Sequence, residues 1–334
     1  MCCKMPKILP QSVFLLAFTL AFGFAKPLIS VSIPPQEYFV KKIAGDTLQI
    51  NVIVPAGTDE HNFELKPATM QKLEKSDIYF TIGIEIEKNL TNRFQSVAKN
   101  LRIVDTGAGL RNLAGSHEHA ANSHEHEKSR LNSHENERVN SHGLRDKHAN
   151  SHAHTSDESS HNAHSENSHA HHRSKESKDP HIWLDPILVK QQANIIANAL
   201  IAVYPHNQAL YEANLAAFQS ELDALHAQIS ALLADKKGKK FIIYHPSLGY
   251  FAARYDLVQI PVEFEGKEPK ARDLQRLIDI GKKEKIKTIF VQKGFPQSAA
   301  KSLAKELDAH IVPINHLNSQ WQSELLKSAE NLGR

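Results

Sequence analysis

The stretch Leu28-Ile29-Ser30-Val31-Ser32-Ile33 begins an alternation of apolar, β-rich runs with helix-patterned segments, and this alternation decides the fold. Strands are predicted at residues 28–33, 48–54, 77–82 and 101–104, and helices at residues 36–44, 68–75 and 84–98. Strands that alternate with helices along a chain are typical of a parallel sheet covered by helices. Residues 26–115 are therefore predicted to form an N-terminal α/β lobe.

A second alternation of the same kind follows residue 237. Strands are predicted at residues 240–244, 257–262, 288–292 and 310–314, and helices at residues 249–255, 269–284, 296–307 and 321–332. This pattern predicts a C-terminal α/β lobe over residues 237–334. The predicted fold class is α/β, with two lobes of parallel sheet and flanking helices joined by one long linker helix.

Two helices are predicted between the lobes. Residues 179–204 complete the N-terminal lobe with a helix from 186, and residues 205–236 form the linker helix. The apolar residues of the linker step by three and four along one face: Leu215, Phe218, Leu222, Leu225, Ile229 and Leu232. About 30 helical residues make a rod of roughly 45 Å. Such a rod can bridge two lobes as a stiff connector; one arm of a coiled coil is the alternative, with too few heptads to favour it.

A histidine-rich segment interrupts the N-terminal lobe at residues 116–178. It holds 14 of the 21 histidines and almost no branched apolar residues, so it cannot bury a core and is predicted to be disordered. Neutral imidazole binds zinc and also suits Cu, Fe and Ni. The segment is therefore interpreted as a metal-collecting loop, with a solvated spacer as the alternative. Its candidate weak ligands are His117, His119, His124, His126, His134, His142, His148, His152, His154, His161, His164, His169, His171 and His172.

Residues 1–25 have the features of a signal peptide. Lys4 and Lys7 provide a positive start, residues 13–24 an apolar run, and Gly23-Phe24-Ala25 a small-residue end. The run is short for a bilayer span, although a retained anchor is an alternative. We therefore expect export to the periplasm of a Gram-negative cell.

Composition excludes several kinds of site and partner. Cys2 and Cys3 are the only cysteines, and they precede the apolar run, whereas a lipidated cysteine would follow it. The exported chain would carry no disulfide and no cysteine-based zinc site. The net charge of +3 falls to about +1 without Lys4 and Lys7, so the charge does not favour nucleic acid as a partner.

Four histidines stand where an α/β protein places its ligands. His61, His245 and His316 each follow a predicted strand, and His181 stands just before a helix, after an Asp-Pro turn. Ligands of open parallel sheets bind beyond the carboxyl ends of the strands, so these side chains could converge in a cleft between the lobes. Taken singly, a histidine at a strand end is more often a polar capping residue than a ligand.

Three motifs contain these histidines. They are Thr58-Asp59-Glu60-His61-Asn62-Phe63-Glu64-Leu65-Lys66-Pro67, Asp179-Pro180-His181-Ile182-Trp183-Leu184-Asp185-Pro186 and Tyr244-His245-Pro246-Ser247-Leu248-Gly249-Tyr250-Phe251. Each resembles a metal-ligand loop of the ZnuA-type zinc-binding proteins of bacterial ABC importers. The resemblance covers essentially the whole chain after the signal peptide, and a His/Asp/Glu-rich insert before the second motif is also a feature of that family.

The resemblance implies a metal held between two α/β lobes that one long helix joins. It implies His61, His181 and His245 as ligands and Glu60 as a possible fourth, with water as the alternative. Three imidazoles and one oxygen suit tetrahedral Zn²⁺ at roughly 2.0–2.2 Å. Manganese-binding relatives carry a carboxylate at the third position, where this chain has His245, which favours zinc.

One position departs from the family pattern. Many relatives carry an aspartate near the last strand, in a Leu-Asp-Pro-Leu run, whereas this chain has Ile314-Asn315-His316-Leu317. Asparagine is a poor ligand, so the role of that aspartate is missing. His316 is a weak candidate to fill it; a place at the rim or behind the ligands is the alternative.

The resemblance predicts a protein that is not an enzyme: it captures Zn²⁺, its transported ligand, with high affinity and delivers it to the membrane permease of an ABC importer with its ATPase. A monomer is expected. The alternatives are a metal-sequestering or adhesin-like surface protein, an importer component for Mn, Ni or Cu, and a zinc hydrolase with Glu60 as its base. Because histidine ligands must be deprotonated, metal affinity is predicted to fall as the pH drops through ~6.5.

Overall fold

The structure is a computed structural model that describes residues 26–61, 63–111, 179–264 and 266–333. The predicted signal peptide over residues 1–25 lies outside the described residues. So does the predicted collecting loop over residues 116–178, with all 14 of its candidate histidines. Both therefore stay predictions from the sequence.

The N-terminal lobe is a four-stranded parallel sheet with helices, as the alternation predicts. Its elements are β1 (Leu28–Val31), α1 (Pro34–Ala44), β2 (Gln49–Val52), α2 (Pro67–Glu74), β3 (Ile78–Thr81), α3 (Glu85–Val97) and β4 (Arg102–Asp105), and the strand order is β2-β1-β3-β4. The first strand ends at Val31, two residues earlier than predicted. The Gln36 side-chain oxygen accepts hydrogen bonds from the backbone N–H groups of Ser32 (3.0 Å) and Ile33 (3.3 Å), and α1 begins with a proline pair.

The C-terminal lobe repeats this arrangement. Its elements, after two helices considered below, are β5 (Lys240–Ile243), α6 (Gly249–Arg254), β6 (Val258–Pro261), α7 (Ala271–Lys283), β7 (Thr288–Gln292), α8 (Ser298–Leu307), β8 (His310–Ile314) and α9 (Trp321–Gly333). All pairings are parallel and the strand order is β6-β5-β7-β8, the same as in the first lobe. In both sheets the strand order reverses beside the first strand of the lobe, between β1 and β3 and between β5 and β7. Proteins with α/β folds bind ligands at such points.

Helices α4 (Pro186–Val203) and α5 (Gln208–Leu232) connect the lobes, and α5 is the predicted linker helix. It is shorter than predicted, about 38 Å at 25 residues, because residues 205–207 form a separate 3₁₀ turn and the helix ends at Leu232, four residues before the predicted end. The prediction of its apolar face is wrong for one residue: Leu232 is 38% exposed, whereas Leu233 is buried. Relative to Ile229, Leu233 points about 40° away and Leu232 about 60° away on the opposite side, so Leu233 takes the inward position.

One continuous hydrophobic core extends from the N-terminal lobe through α5 into the C-terminal lobe, and a second, smaller cluster lies within the C-terminal lobe. Helix α5 packs against α1 and α4 on one side and against α9 of the other lobe. Trp321 of α9 meets Phe39 of α1 edge-on, with ring centroids 5.1 Å apart, and Phe39 also contacts Phe218 of α5. The Trp321 indole N–H donates to the backbone oxygen of Trp183 at 2.7 Å, and the Trp183 N–H donates to that of His316 at 2.9 Å. The lobes are therefore joined by buried aromatic packing as well as by a connector.

Candidate metal centre

Four side chains converge between the carboxyl ends of the two sheets. Glu60 and His61 lie in the loop after β2, His181 lies just before a 3₁₀ turn that leads into α4, and His245 lies two residues after β5. The ligand atoms of these four residues all lie within 4.8 Å of one another. The structure thus brings together three distant parts of the chain, as expected for strand-end residues of facing sheets.

Two of the nitrogen–nitrogen distances among these atoms match the ligand spacing of a tetrahedral zinc site. The Nε2 atom of His245 lies 3.2 Å from that of His181 and 3.4 Å from that of His61. Ligands about 2.05 Å from a tetrahedral ion stand about 3.3 Å apart. Glu60 Oε1 lies 3.5 Å from His181 Nε2 and 4.0 Å from His61 Nε2.

Buried carboxylates orient two of the imidazoles. His181 Nδ1 lies 2.6 Å from Asp179 Oδ1, and His245 Nδ1 lies 2.5 Å from Glu263 Oε1. A carboxylate that accepts from Nδ1–H selects the tautomer with a free lone pair on Nε2 and fixes the ring. Both rings therefore present a metal-binding nitrogen to the common centre.

The backbone around His245 is also held in place. Gln292, at the end of β7, accepts from the His245 N–H at 3.1 Å and donates to the His245 carbonyl oxygen at 2.6 Å. The ring of Phe295 stacks on the His245 imidazole with centroids 5.0 Å apart. His245 is thus fixed at its backbone, its ring face and its Nδ1.

His316 lies behind Glu60 and outside the group of four converging residues. Its Nε2 is 2.9 Å and 3.0 Å from the two carboxylate oxygens of Glu60. The Trp183 ring stacks on the His316 ring, with an interplanar angle of 22°. In this arrangement His316 holds the carboxylate and presents no nitrogen to the centre.

The charges and burial around the centre shift the pKa values of His181 and His245 in opposite directions. Burial lowers the pKa of His181, but the neighbouring Asp179 and Glu60 outweigh it and raise the pKa to about 9. Burial lowers the pKa of His245 to about 4, because the effect of Glu263 is smaller there. Burial opposes ionisation of Glu60, yet His316 and His181 hold its pKa well below the usual range. The centre thus contains a firmly ionised carboxylate, one protonated imidazole and one neutral imidazole at pH 7.

The sequence alone did not point to Glu263 or Gln292, and it gave Asp179 no role beyond its place in the second motif. Glu263 follows β6, whose partner in the sheet is β5, the strand that leads to His245. A polar residue after an apolar strand is a visible signal, but its contact with His245 depends on the strand order β6-β5-β7. Asp179 stands two residues before His181, so that contact is local.

Comparison with known proteins identifies the family. A family model described as "Zinc-uptake complex component A periplasmic" (ZnuA) matches residues 29–328. The chain belongs to the ZnuA family. As components of an uptake complex, ZnuA proteins are substrate-binding proteins of a transporter and not enzymes, which excludes the hydrolase alternative.

Individual relatives agree with this assignment. A crystal structure of ZnuA is 31% identical, with a TM-score of 0.72, over 92% of this chain and 98% of the other. A deletion mutant of ZnuA, described with zinc bound, is 31% identical, with a TM-score of 0.71, over 92% and 97% of the two chains. The zinc-binding lipoprotein AdcA of Streptococcus pneumoniae is 25% identical over 306 residues, 89% of this chain. That match covers 51% of AdcA, so the chain spans about half the length of the streptococcal relatives. The two-lobed α/β fold agrees with its ZnuA neighbours.

Proposed function

We propose that this protein captures Zn²⁺ with high affinity outside the cytoplasmic membrane and delivers it to the permease of an ABC importer. The observation that carries the proposal is the separation of the Nε2 atoms of His61, His181 and His245. Neighbouring pairs stand 3.2 Å and 3.4 Å apart, the spacing of ligands around tetrahedral zinc. The zinc-bound state of the ZnuA deletion mutant supports zinc as the cargo.

The first coordination shell would hold three neutral imidazoles and one carboxylate oxygen from Glu60. Imidazole is a ligand that zinc favours, whereas manganese prefers oxygen. The single negative charge of Glu60 would leave the bound ion with a net charge of about +1, which limits the electrostatic cost of burying it. His316 would act on the metal through Glu60, as the donor that keeps the carboxylate directed into the cleft.

The remaining parts of the proposal follow from the sequence and the family. The predicted signal peptide would export the chain to the periplasm, and residues 116–178 would raise the local metal concentration beside the cleft through tethered weak sites. The permease with its ATPase would be the partner of a monomer. The proposal also includes the predicted division of the chain, from the N-terminal lobe at residues 26–115 to the C-terminal lobe at residues 237–334.

Calorimetry of the metal-free exported protein tests the proposal. Zinc stoichiometry and affinity are compared for the wild type, a deletion of residues 116–178 and the double variant His61→Ala/His245→Ala. We expect the deletion to keep one tight site and the double variant to lose it. A tight site that disappears with residues 116–178 and survives the double variant would instead indicate a sequestering or surface protein on this fold.

A further inference from the structure

His61 is the least supported of the four converging side chains. Its side chain is 33% exposed, against 4% for His181 and 7% for His245. Among the described residues, no carboxylate accepts from its Nδ1, whereas Asp179 and Glu263 orient the other two rings. The orientation of His61 must therefore come from the position of its loop.

The loop that carries His61 is shaped by short-range hydrogen bonds. The Thr58 hydroxyl donates to the carbonyl oxygen of Pro55 at 2.6 Å, and the His61 N–H donates to Asp59 Oδ1 at 2.9 Å. Such contacts define a turn because they join residues two or three positions apart. They do not define how far the turn stands from the C-terminal lobe, which supplies His245.

Gly294 brings the C-terminal lobe into direct contact with this loop. It follows β7 and has a φ of +97°, a conformation that favours glycine. A Cβ at this position would lie 3.0 Å from the carbonyl oxygen of Gly57, 3.4 Å from the carbonyl carbon of Thr58 and 3.5 Å from the nitrogen of Asp59. All three neighbours are backbone atoms, so any side chain on Gly294 displaces the loop.

The segment around Gly294 is itself anchored to the site. The Lys293 N–H donates to the carbonyl oxygen of Ile314 at 2.8 Å, and the Phe295 N–H donates to that of Gln292 at 3.2 Å. Phe295 is the residue whose ring stacks on His245. Residues 293–295 therefore contact the ring of one converging histidine and the loop of another.

We infer that Gly294 is a positioning residue for His61: its bare backbone is the surface on which the N-terminal loop rests, and this contact sets how the exposed imidazole completes the metal site. The inference rests on the proposed zinc function and adds an order of events. Hydrogen-bond partners hold the buried side chains of His181, His245 and Glu60 in place. His61 is therefore the last ligand to bind the ion and the first to leave it. Metal exchange then proceeds on the His61 side of the cleft.

The test compares Gly294→Ala with Gly238→Ala in the full chain. Gly238 also has a positive φ, +71°, but nothing lies within 4 Å of a Cβ placed there, so it carries the backbone strain without the contact. Chelator competition removes weakly held metal first, and the slow phase gives the dissociation rate of the tight site. We expect Gly294→Ala to release zinc about tenfold faster, within the range for residues that orient a ligand, and Gly238→Ala to match the wild type.

Cobalt absorption gives a readout that a general loss of stability would not produce. Four-coordinate Co²⁺ absorbs strongly in the visible range, and we expect Gly294→Ala to reduce that intensity as His61 leaves the ion. In a His61→Ala background, Gly294→Ala should cause no further change in rate or spectrum, because both changes act through one imidazole. Gly57→Ala, on the other side of the contact, meets only the flexible Lys293 side chain at 3.4 Å and should act in the same direction but more weakly.

The outcomes separate this inference from the function on which it rests. Unchanged zinc release and an unchanged cobalt spectrum in both Gly294→Ala and Gly57→Ala would overturn the positioning role, as would a full additional effect in the His61→Ala background. If His181→Ala/His245→Ala leaves the tight site intact, the proposed function itself is wrong.

Discussion

Zinc binding at this centre should release a proton from His181. In the metal-free protein, Asp179 and Glu60 outweigh the effect of burial and raise the pKa of His181 to about 9. The ring is therefore ~99% protonated at pH 7. A metal ion needs the neutral ring and must displace that proton. His245, with a pKa of about 4, is already neutral and releases none. Apparent zinc affinity should therefore rise about tenfold per pH unit from pH ~6.5 to ~8.5, roughly 2.7 kcal/mol in total, and level off above the pKa of His181.

Calorimetric titration in buffers with different ionisation enthalpies measures this proton directly. The slope of binding enthalpy against buffer ionisation enthalpy should indicate about one proton released by His181 at pH 7.5. Asp179→Asn removes the largest favourable influence on the His181 cation, so this variant should release fewer protons and show a shallower pH dependence. A wild-type affinity that is constant from pH 6.5 to 8.5, or a proton count that Asp179→Asn leaves unchanged, would refute this account of the site.

Three further predictions concern residues around the centre and in the core. Glu263→Gln should weaken zinc binding about 10–100-fold in calorimetry, because the neutral amide oxygen is a weaker acceptor for the His245 Nδ1–H than the carboxylate. Burial raises the pKa of Glu87 to about 7 despite its hydrogen bonds, so it is protonated in folded and unfolded protein below pH ~4.5 and ionised in both above pH ~7. Between these pH values the buried charge of Glu87 increasingly destabilises the folded wild type. In denaturant titrations, the free energy of unfolding of Glu87→Gln relative to wild type should therefore rise by about 3 kcal/mol from pH 4.5 to 8. Trp321→Ala should lower the free energy of unfolding by about 3–5 kcal/mol, since it empties the aromatic contact between the lobes and leaves the Trp183 oxygen without its donor.

Exposed residues of similar chemistry provide the controls. Glu268→Gln should bind zinc as the wild type does, and Leu210→Ala should change stability by under about 0.5 kcal/mol. Equal affinities of Glu263→Gln and wild type would show that zinc binding does not depend on the negative charge beside His245. A pH-independent difference for Glu87→Gln would place its carboxyl in water rather than in the core, and a loss under 1 kcal/mol for Trp321→Ala would show that the lobes do not depend on that contact.

The alternation of strands and helices was predictable because each element carries its own local pattern. Buried parallel strands such as β3 are continuous apolar runs, and α4 begins at a proline after Asp185, which accepts hydrogen bonds from two N–H groups of the first turn. Element ends were less predictable, because they depend on single contacts. Gln36 ends β1 by accepting from Ser32 and Ile33, and nothing in the local pattern indicates which way that side chain turns.

The positions of the site histidines were predictable, whereas their supports were not. His61, His181 and His245 stand in motifs at strand and helix ends, where the family pattern and the topology agree. The contact between Glu263 and His245 depends on which strand neighbours β5, and the contact between His316 and Glu60 joins opposite lobes across 256 residues of sequence. Such pairs arise from tertiary packing, so one sequence contains no local signal for them.

In the proposed transport role, the shared core would affect how the protein survives between rounds of metal binding. Because the aromatic cluster of α1, α5 and α9 packs the lobes together through residues other than the candidate ligands, neither lobe is exposed to proteases as a separately folded half. Cleavage within the buried strands and helices of this core would then require opening of the whole molecule, at a frequency set by its global free energy of unfolding. If the chain is the zinc carrier proposed above, a cell starved of zinc would keep its supply of empty carriers without resynthesis.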